Sequence, residues 1–295
     1  MILTRILRQI FSRKPNGTDI ARNSPVANAG RKDVAAILPR LTSPEPDRIF
    51  NFFSLIFWNT SNPQSVTAAA KEIIQHAEGG HHFADNFLTW SRNMSMLDDQ
   101  PFVSAWRSNA ESTSDEAIIW RRYILACAAY HCVQLEGDFV ECGAYTGVGI
   151  KTVVDYLGGT AFPRTFWGYD IFEHDPSMVN HSMPEHGSSL YQRVKEKFSA
   201  YPQVRLIRGL IPQVFEGNCP DQIAYMHIDL NQAPAEIAAL DCLFDRMVPG
   251  AILILDDYEW SGIYRPQKLA EDEWFESRKY RVMPLPTGQG LIIKR

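Results

Sequence analysis

The residues of this chain best suited to chemistry are glycines and acids set in a particular order. Phe139 opens a short apolar run that passes into Val140-Glu141-Cys142-Gly143-Ala144-Tyr145-Thr146-Gly147. Glycines so close together let a strand end in a turn tight enough for backbone to touch a ligand, and Gly149 lets the next helix pack close. The spacing is Gly-x-x-x-Gly-x-Gly, where a dinucleotide site asks for Gly-x-Gly-x-x-Gly. Glu141 stands two residues before the first glycine. A carboxylate there suits a ligand with a cationic amino group and repels a pyrophosphate, which argues against a nicotinamide cofactor. Alone, the turn would serve equally as an ordinary strand-to-helix connection.

A second acid narrows the ligand. Asp170 closes the run Phe166-Trp-Gly-Tyr169, about 25 residues downstream, where a Rossmann-like fold places its acceptor for ribose hydroxyls. A cationic amino group and a ribose on one molecule describe S-adenosylmethionine (SAM). The expected SAM contacts are Glu141, Gly143, Ala144, Tyr145, Thr146, Gly147, Asp170, Ile171 and Asp229.

Further acids follow in His227-Ile228-Asp229-Leu230-Asn231 and Leu255-Asp256-Asp257-Tyr258. If both runs are adjacent parallel strands, Asp229, Asp256 and Asp257 meet beside the cofactor. Carboxylates that close repel one another unless cations or protons intervene. All-oxygen ligands suit magnesium or manganese, which would lower the pKa of an acceptor hydroxyl. The same acids would also be explained if one capped a helix and another paired with an arginine. The candidate catalytic residues are Asp229, Asn231, His174 and His186, with the two histidines as the candidates for the base. The two histidines belong to a long polar segment, Glu173 to Gly187, that also holds His181 and has the character of a lid. Between His174 and His186 the sequence does not choose, and their spacing is poor for zinc. His227 reads as a core histidine. Tyr258, Trp260 and Tyr264 suit either stacking on an acceptor or packing at the sheet edge.

These residues need elements to hold them. From residue 136 to 295, short β-rich runs alternate with helical stretches, which predicts a mostly parallel α/β sheet covered on both faces. Strands are expected at Phe139, Phe166, Val204, Ile223 and Ala251, followed by a closing pair at Tyr280–Leu285 and Gly290–Lys294, with Thr287-Gly-Gln-Gly290 as its turn. Residues 48–135 read as a helical segment, with Ser65 capping one helix and Ser114 opening another through Cys132. Phe83, Phe87, Trp90 and Trp106 are its packing anchors. Residues 1–47 read as a flexible basic tail or linker. Its first residues space apolar side chains at helical intervals between arginines. That suits a docking helix or a weak membrane-surface anchor, not a membrane span.

The pieces Gly137-Asp-Phe-Val-Glu-Cys-Gly143, Tyr169-Asp-Ile-Phe-Glu173, His227-Ile-Asp-Leu230, Val248-Pro-Gly-Ala-Ile-Leu-Ile-Leu-Asp-Asp-Tyr258 and Leu285-Pro-Thr-Gly-Gln-Gly-Leu-Ile-Ile-Lys294 together resemble the TylF/macrocin O-methyltransferase family. The resemblance covers roughly residues 115 to 295. It implies a class I methyltransferase fold: a seven-stranded, Rossmann-like, mostly parallel sheet with antiparallel C-terminal strands. It also implies SAM as methyl donor, Asp229, Asp256 and Asp257 as metal ligands, and a sugar hydroxyl as acceptor. One position departs: Asn231 stands where the family commonly has the second acid of Asp-x-Asp. An amide can orient a hydroxyl but cannot take a proton at neutral pH. The expected activity is therefore a SAM-dependent, metal-assisted O-methyltransfer to a hydroxylated small molecule or glycan. The alternative is a SAM-binding protein without turnover.

Composition sets the remaining bounds. The chain has 295 residues, 45% hydrophobic and 12% aromatic, enough for a real core. A net charge of -5 provides no global field for nucleic acid. The five cysteines include no Cys-x-x-Cys pair and sit among apolar neighbours, which predicts reduced thiols in a cytoplasmic protein, while the helical segment before the sheet suits either a homodimer contact or a cover over the site.

Overall fold

The computed structural model describes residues 38–39, 49–54, 56, 58–178 and 182–295. The expected tail therefore lies, but for Leu38 and Pro39, outside the described residues, as does His181 of the polar segment.

The N-terminal part is not helical throughout. Strand β1 (Phe52–Phe53) precedes helix α1 (Pro63–His76), and β2 (His81–Ala84) and β3 (Phe87–Trp90) follow. The three strands form a small sheet in the order β1-β2-β3. Asp85 and Asn86 join β2 to β3 with φ of 52° and 55°. Two left-handed residues in succession make the tight turn that matches strand twist, and Asp and Asn tolerate it. Phe83, Phe87 and Trp90 thus belong to a hairpin, not to gaps between helices. The cap of α1 is Asn62, whose Oδ1 accepts from the N–H of Ser65 at 3.0 Å, in place of the expected Ser65.

Four more helices complete this part: α2 (Ser95–Asp98), α3 (Gln100–Asn109), α4 (Thr113–Ala117) and α5 (Ile119–Cys132). The expected long helix from Ser114 is broken at Ile118. Ser112 caps α4 instead, through its Oγ and the N–H of Asp115 at 3.1 Å.

The large sheet contains β4 (Asp138–Cys142), β5 (Phe166–Asp170), β6 (Val204–Arg208), β7 (Ile223–Ile228), β8 (Met247–Leu255), β9 (Met283–Pro284) and β10 (Gly290–Ile293). Their order is β6-β5-β4-β7-β8-β10-β9. The first five are parallel, and β10 runs antiparallel to both β8 and β9. Every residue of β7 is buried, as a strand covered on both faces requires. On one face, α5 and α6 (Val148–Tyr156) cover the sheet through Leu125, Ile150 and Val154. On the other, α8 (Ala233–Leu243) and α9 (Arg265–Ser277) do so through Leu240, Trp274 and Phe275. Helix α7 (Leu190–Lys197) follows the polar segment. The chain leaves β4 toward β5 on one side and reaches β7 on the other, so a crevice opens at the carboxyl ends of these strands. All five cysteines are free. No helix among the described residues is long and apolar enough to cross a membrane.

Candidate functional site

The glycine turn leaves β4 where β7 presses against it. The N–H of Asp229 donates to Cys142 O at 2.8 Å, which joins the two strand ends. Gly143 has φ +97°, and a Cβ there would lie 1.9 Å from the carbonyl oxygen of Asp229. Only glycine lets the strands approach so closely. Gly147 has φ +76°, and a Cβ would meet the Phe198 ring at 2.7 Å. Lys197 Nζ donates to Thr146 O, fastening the middle of the turn.

Asp170 anchors the turn from β5. Its Oδ2 accepts from the N–H of Tyr145 at 2.7 Å, and its Oδ1 accepts from the N–H of Phe172. Burial pushes its carboxyl up to about 6 in spite of these donors. A cavity of about 730 Å³ opens in front of it. Gly143, Tyr145, Asp170, Ile171, Asp229 and Asn231 line its inner wall. The volume suits a nucleoside-sized ligand. Glu141, Ala144, Thr146 and Gly147 do not line it. Glu141 is buried, and its carboxylate Oε2 lies 2.9 Å from Nδ1 of His227.

Described residues of the polar segment, from Glu173 to Met178 and from Met183 to His186, form the outer wall. His186 lines the cavity and meets the Tyr145 ring edge-on at 5.3 Å, while His174 stacks on His186 at 6.1 Å. His186 Nδ1 accepts from the N–H of Met183 at 3.1 Å. The neutral ring then carries its proton on Nε2, which suits a donor better than a base.

Two of the three aspartates, Asp256 and Asp257, are held by a cation from outside the sheet. Arg121, on α5, places Nη2 2.7 Å from Asp256 Oδ2, 2.7 Å from Asp257 Oδ1 and 2.6 Å from Asp256 O. Its Nε lies 3.6 Å from Asp85 Oδ2, at the tip of the β2–β3 hairpin. Gln289 Nε2 donates to Asp256 Oδ1 at 2.9 Å, and Gln289 Oε1 accepts from Thr287 Oγ1 at 3.0 Å. The Thr287–Gly290 turn thus does more than connect strands. His227 Nε2 stands 3.3 Å from Asp256 Oδ1. Burial would lower the His227 pKa, but Asp256 and Glu141 outweigh it and raise it to about 10. Burial pushes the other way on Asp256, yet Arg121 and His227 hold it below the usual carboxylate range. Asp229 is held well above that range, by burial first and then by Asp256 and Asp257.

Among the described residues, His227, Asp229 and Asp256 each offer a ligand atom within 4.8 Å of the others. Asp257 falls outside this group, held on Arg121, so the structure gathers two of the three expected metal ligands and adds His227. The donor chemistry fits a divalent cation. Asp85, Glu141, Asp229, Asp256 and Asp257 outnumber the nearby Arg121, Arg122 and His227, and the crowding is relieved at Asp229, whose carboxyl is held toward its neutral form and would ionise fully only beside an added cation.

Asn231 has φ 59°, and its Nδ2 donates to Asp229 Oδ1 at 3.3 Å. Glu236, fully buried on α8, accepts from the N–H groups of Leu230 and Asn231 at 3.2 Å each. This fixes the turn that carries Asp229 and Asn231. Sequence reading missed Arg121, Asp85, Gln289 and Glu236. Arg121 had a signal: it falls on the buried stripe of α5 with Leu125, Ala128 and Cys132, where a charge needs a partner.

A family model for macrocin-O-methyltransferase (TylF) matches residues 126–279. Over 140 residues the chain is 29% identical to 8-demethyl-8-(2,3-dimethoxy-alpha-L-rhamnosyl)-tetracenomycin-C 4'-O-methyltransferase of Streptomyces olivaceus. That stretch is 41% of this chain and 53% of the relative, so the chain spans about half the length of the curated relative it matches. Among solved structures, the O-methyltransferase NovP superposes with a TM-score of 0.50 at 18% identity, over 60% of this chain and 80% of that one. This last likeness is one of fold, and the seven-stranded sheet with its antiparallel end is the fold expected from the sequence.

Proposed function

Because this chain belongs to the macrocin O-methyltransferase (TylF) family, we propose that it transfers the methyl group of SAM to a hydroxyl of a small-molecule or glycan acceptor. One observation carries the reading: Asp170, Gly143, Tyr145 and Asp229 share a single nucleoside-sized cavity at the switch point of the sheet. Asp170 is placed to accept the ribose hydroxyls, with its carboxylate already aimed by two backbone donors. Gly143 and Tyr145 offer backbone where the amino-acid end of SAM would lie. Glu141 acts from behind them, on His227, and not by touching the ligand. The acceptor oxygen belongs beside Asp229 and Asn231, in line with the methyl group. Rate enhancement then comes mainly from holding the two reactants in line. The polar segment with His186 closes over the cofactor and excludes water.

Asp229 and Asp256 would hold a magnesium or manganese ion, joined by His227 once the ion displaces the ring proton that Asp256 and Glu141 otherwise retain, and the ion would supply a lowered pKa for the acceptor hydroxyl. Asn231 would orient that hydroxyl through its amide. The curated relative is named for methylating a rhamnosyl group, so a deoxysugar on a larger scaffold is the acceptor to try first.

Calorimetry with S-adenosylhomocysteine (SAH), followed by label transfer from SAM to rhamnosyl glycosides, tests the reading. No SAH binding at millimolar ligand would sink it. Full activity in the presence of a chelator would remove the ion from the mechanism, and Asp256→Ala is expected to abolish any divalent-ion dependence. Asn231 favours a second reading, a SAM-binding protein without turnover, whose signature is SAH binding with no transfer to any acceptor.

A further inference from the structure

We propose that Asp85, at the tip of the N-terminal hairpin, is a positioning residue for the carboxylate cluster: it fixes the guanidinium of Arg121, and Arg121 fixes Asp256 and Asp257. The catalytic part of this inference rests on the methyl-transfer reading; the structural part does not.

A single atom, Arg121 Nη2, touches Asp256 Oδ2, Asp257 Oδ1 and Asp256 O. Where that nitrogen sits therefore sets the separation of the two carboxylates. These three contacts all act at one corner of a planar group; the Trp260 ring, 6.0 Å from Cζ, lies against its face but leaves it free to turn in its own plane. Asp85 supplies the second point of restraint, 3.6 Å from Nε at another corner. Both side chains are deeply buried, at 9% and 7% exposure, where the attraction is little screened. Arg121 Nε and both Asp85 oxygens are buried without a hydrogen bond; burial lifts the Asp85 carboxyl to about 7, and the attraction of Arg121 is what keeps it from rising further.

The turn itself does not require an acid at this position. Asn or Gly would form the same left-handed turn without placing a charge inside the protein. The tip is also clamped from its other residue. Asn86 Oδ1 accepts from the N–H of Trp58 at 3.0 Å, and its Nδ2 donates to Trp58 O at 2.9 Å. Trp58 meets the edge of Trp260 at 6.1 Å, and the N–H of Trp260 donates to Asp257 O at 3.2 Å. The hairpin tip thus reaches the cluster by two routes, through Asp85 to Arg121 and through Asn86 and the two tryptophans to Asp257. Asp85 and Arg121 both precede the family-matched residues 126–279, so this restraint belongs to the chain's own N-terminal part.

The test follows the arginine directly. In deuterated, ¹⁵N-labelled protein, the Arg121 Nε–H resonance is assigned by its loss in Arg121→Lys. Asp85→Asn should speed exchange of that proton about tenfold or more, and Asp85→Glu should restore most of the protection. Asp85→Gly suits the left-handed turn, removes the carboxylate, and serves should the Asn variant fold poorly. SAH affinity should stay within about twofold throughout, because Asp85 does not line the cofactor cavity. On an acceptor that the wild type methylates, kcat should fall about tenfold in Asp85→Asn, with KM for SAM unchanged and partial rescue by Asp85→Glu. Unchanged Arg121 exchange in both Asp85→Asn and Asp85→Gly would overturn the proposal. Loss of SAH binding by the wild type would instead defeat the functional reading, and the Arg121 signal would still decide this one.

Discussion

Asp170 meets two demands with one carboxylate: it closes the glycine turn through Tyr145 and Phe172, and it faces the cavity. Burial raises its pKa to about 6, so the group changes charge in a range easily reached in solution. A carboxylate accepts from both ribose hydroxyls, whereas a protonated carboxyl accepts less and donates instead. SAH affinity should therefore be level above pH 7 and weaken as pH falls through 6, by up to about tenfold per pH unit. Asp170→Asn should bind about 10- to 100-fold more weakly at pH 7 and lose this pH dependence, since a charge-assisted hydrogen bond contributes about 1.5–3 kcal/mol. Calorimetry from pH 5 to 8 on both proteins checks this, and a parallel pH profile in the variant would show that another group titrates. Asp170 and Gly143 were legible in the sequence because each follows from one local rule, a strand-end acid and a left-handed turn. The partner of Glu141 was not, because facing across adjacent strands depends on register: β4 and β7 pair Glu141 with His227, and nothing local in either run announces it.

At the scale of elements, the sheet and the helices between its strands were readable, and the N-terminal part packed against them was not. Strands β4, β5, β7 and β8 are apolar runs punctuated by acids at their carboxyl ends, a pattern with few other folded solutions. The β2–β3 hairpin hid because its turn is Asp-Asn, not the more familiar Asn-Gly, and its strands are half histidine and phenylalanine. Arg121 hid because a lone charge in a helix ordinarily faces water, and its partner Asp256 lies 135 residues away. Helix α5 thus carries a residue whose role is defined only by β8 and the hairpin. Arg121→Met keeps volume and helix propensity but leaves Asp85, Asp256 and Asp257 without their shared cation. Breaking a buried pair from one side costs about 3–5 kcal/mol, and urea unfolding should show a loss of that order. Arg121→Lys, which keeps the charge, should lose less. Equal losses in the two variants would mean that packing, not charge, is what Arg121 contributes.

Across the whole molecule, the N-terminal part is fastened to the sheet domain at several separate points. Tyr156 OH donates to Asp99 Oδ2 at 2.7 Å, Asn109 Nδ2 donates to Asp155 Oδ2 at 2.9 Å, and Lys197 pairs with Glu111 at 2.6 Å. Lys197 also holds Thr146 of the glycine turn, so one fastening ends on the cofactor side of the site as the Asp85 contact ends on the carboxylate side. Integrity of this N-terminal part should therefore be felt at both. Its weak point under acid is His82, which is 1% exposed, with its ring stacked on Phe52 at 5.5 Å and edge-on to Trp120 at 4.9 Å. Burial lowers its pKa from 6.5 to about 4, and its Nδ1 has no hydrogen-bond partner. The sign follows from linkage. The folded state favours the neutral ring, so this stabilisation is fully present above pH 6.5, declines as pH falls from 6.5, and is gone below about 4. The shift corresponds to at most about 3 kcal/mol. His82→Phe keeps the aromatic packing and removes the titration. Urea unfolding at pH 7, 5.5 and 4.5 should show the wild type losing up to about 3 kcal/mol more than the variant over that range. Equal losses in the two proteins would place the acid sensitivity elsewhere, in the carboxylates that both share.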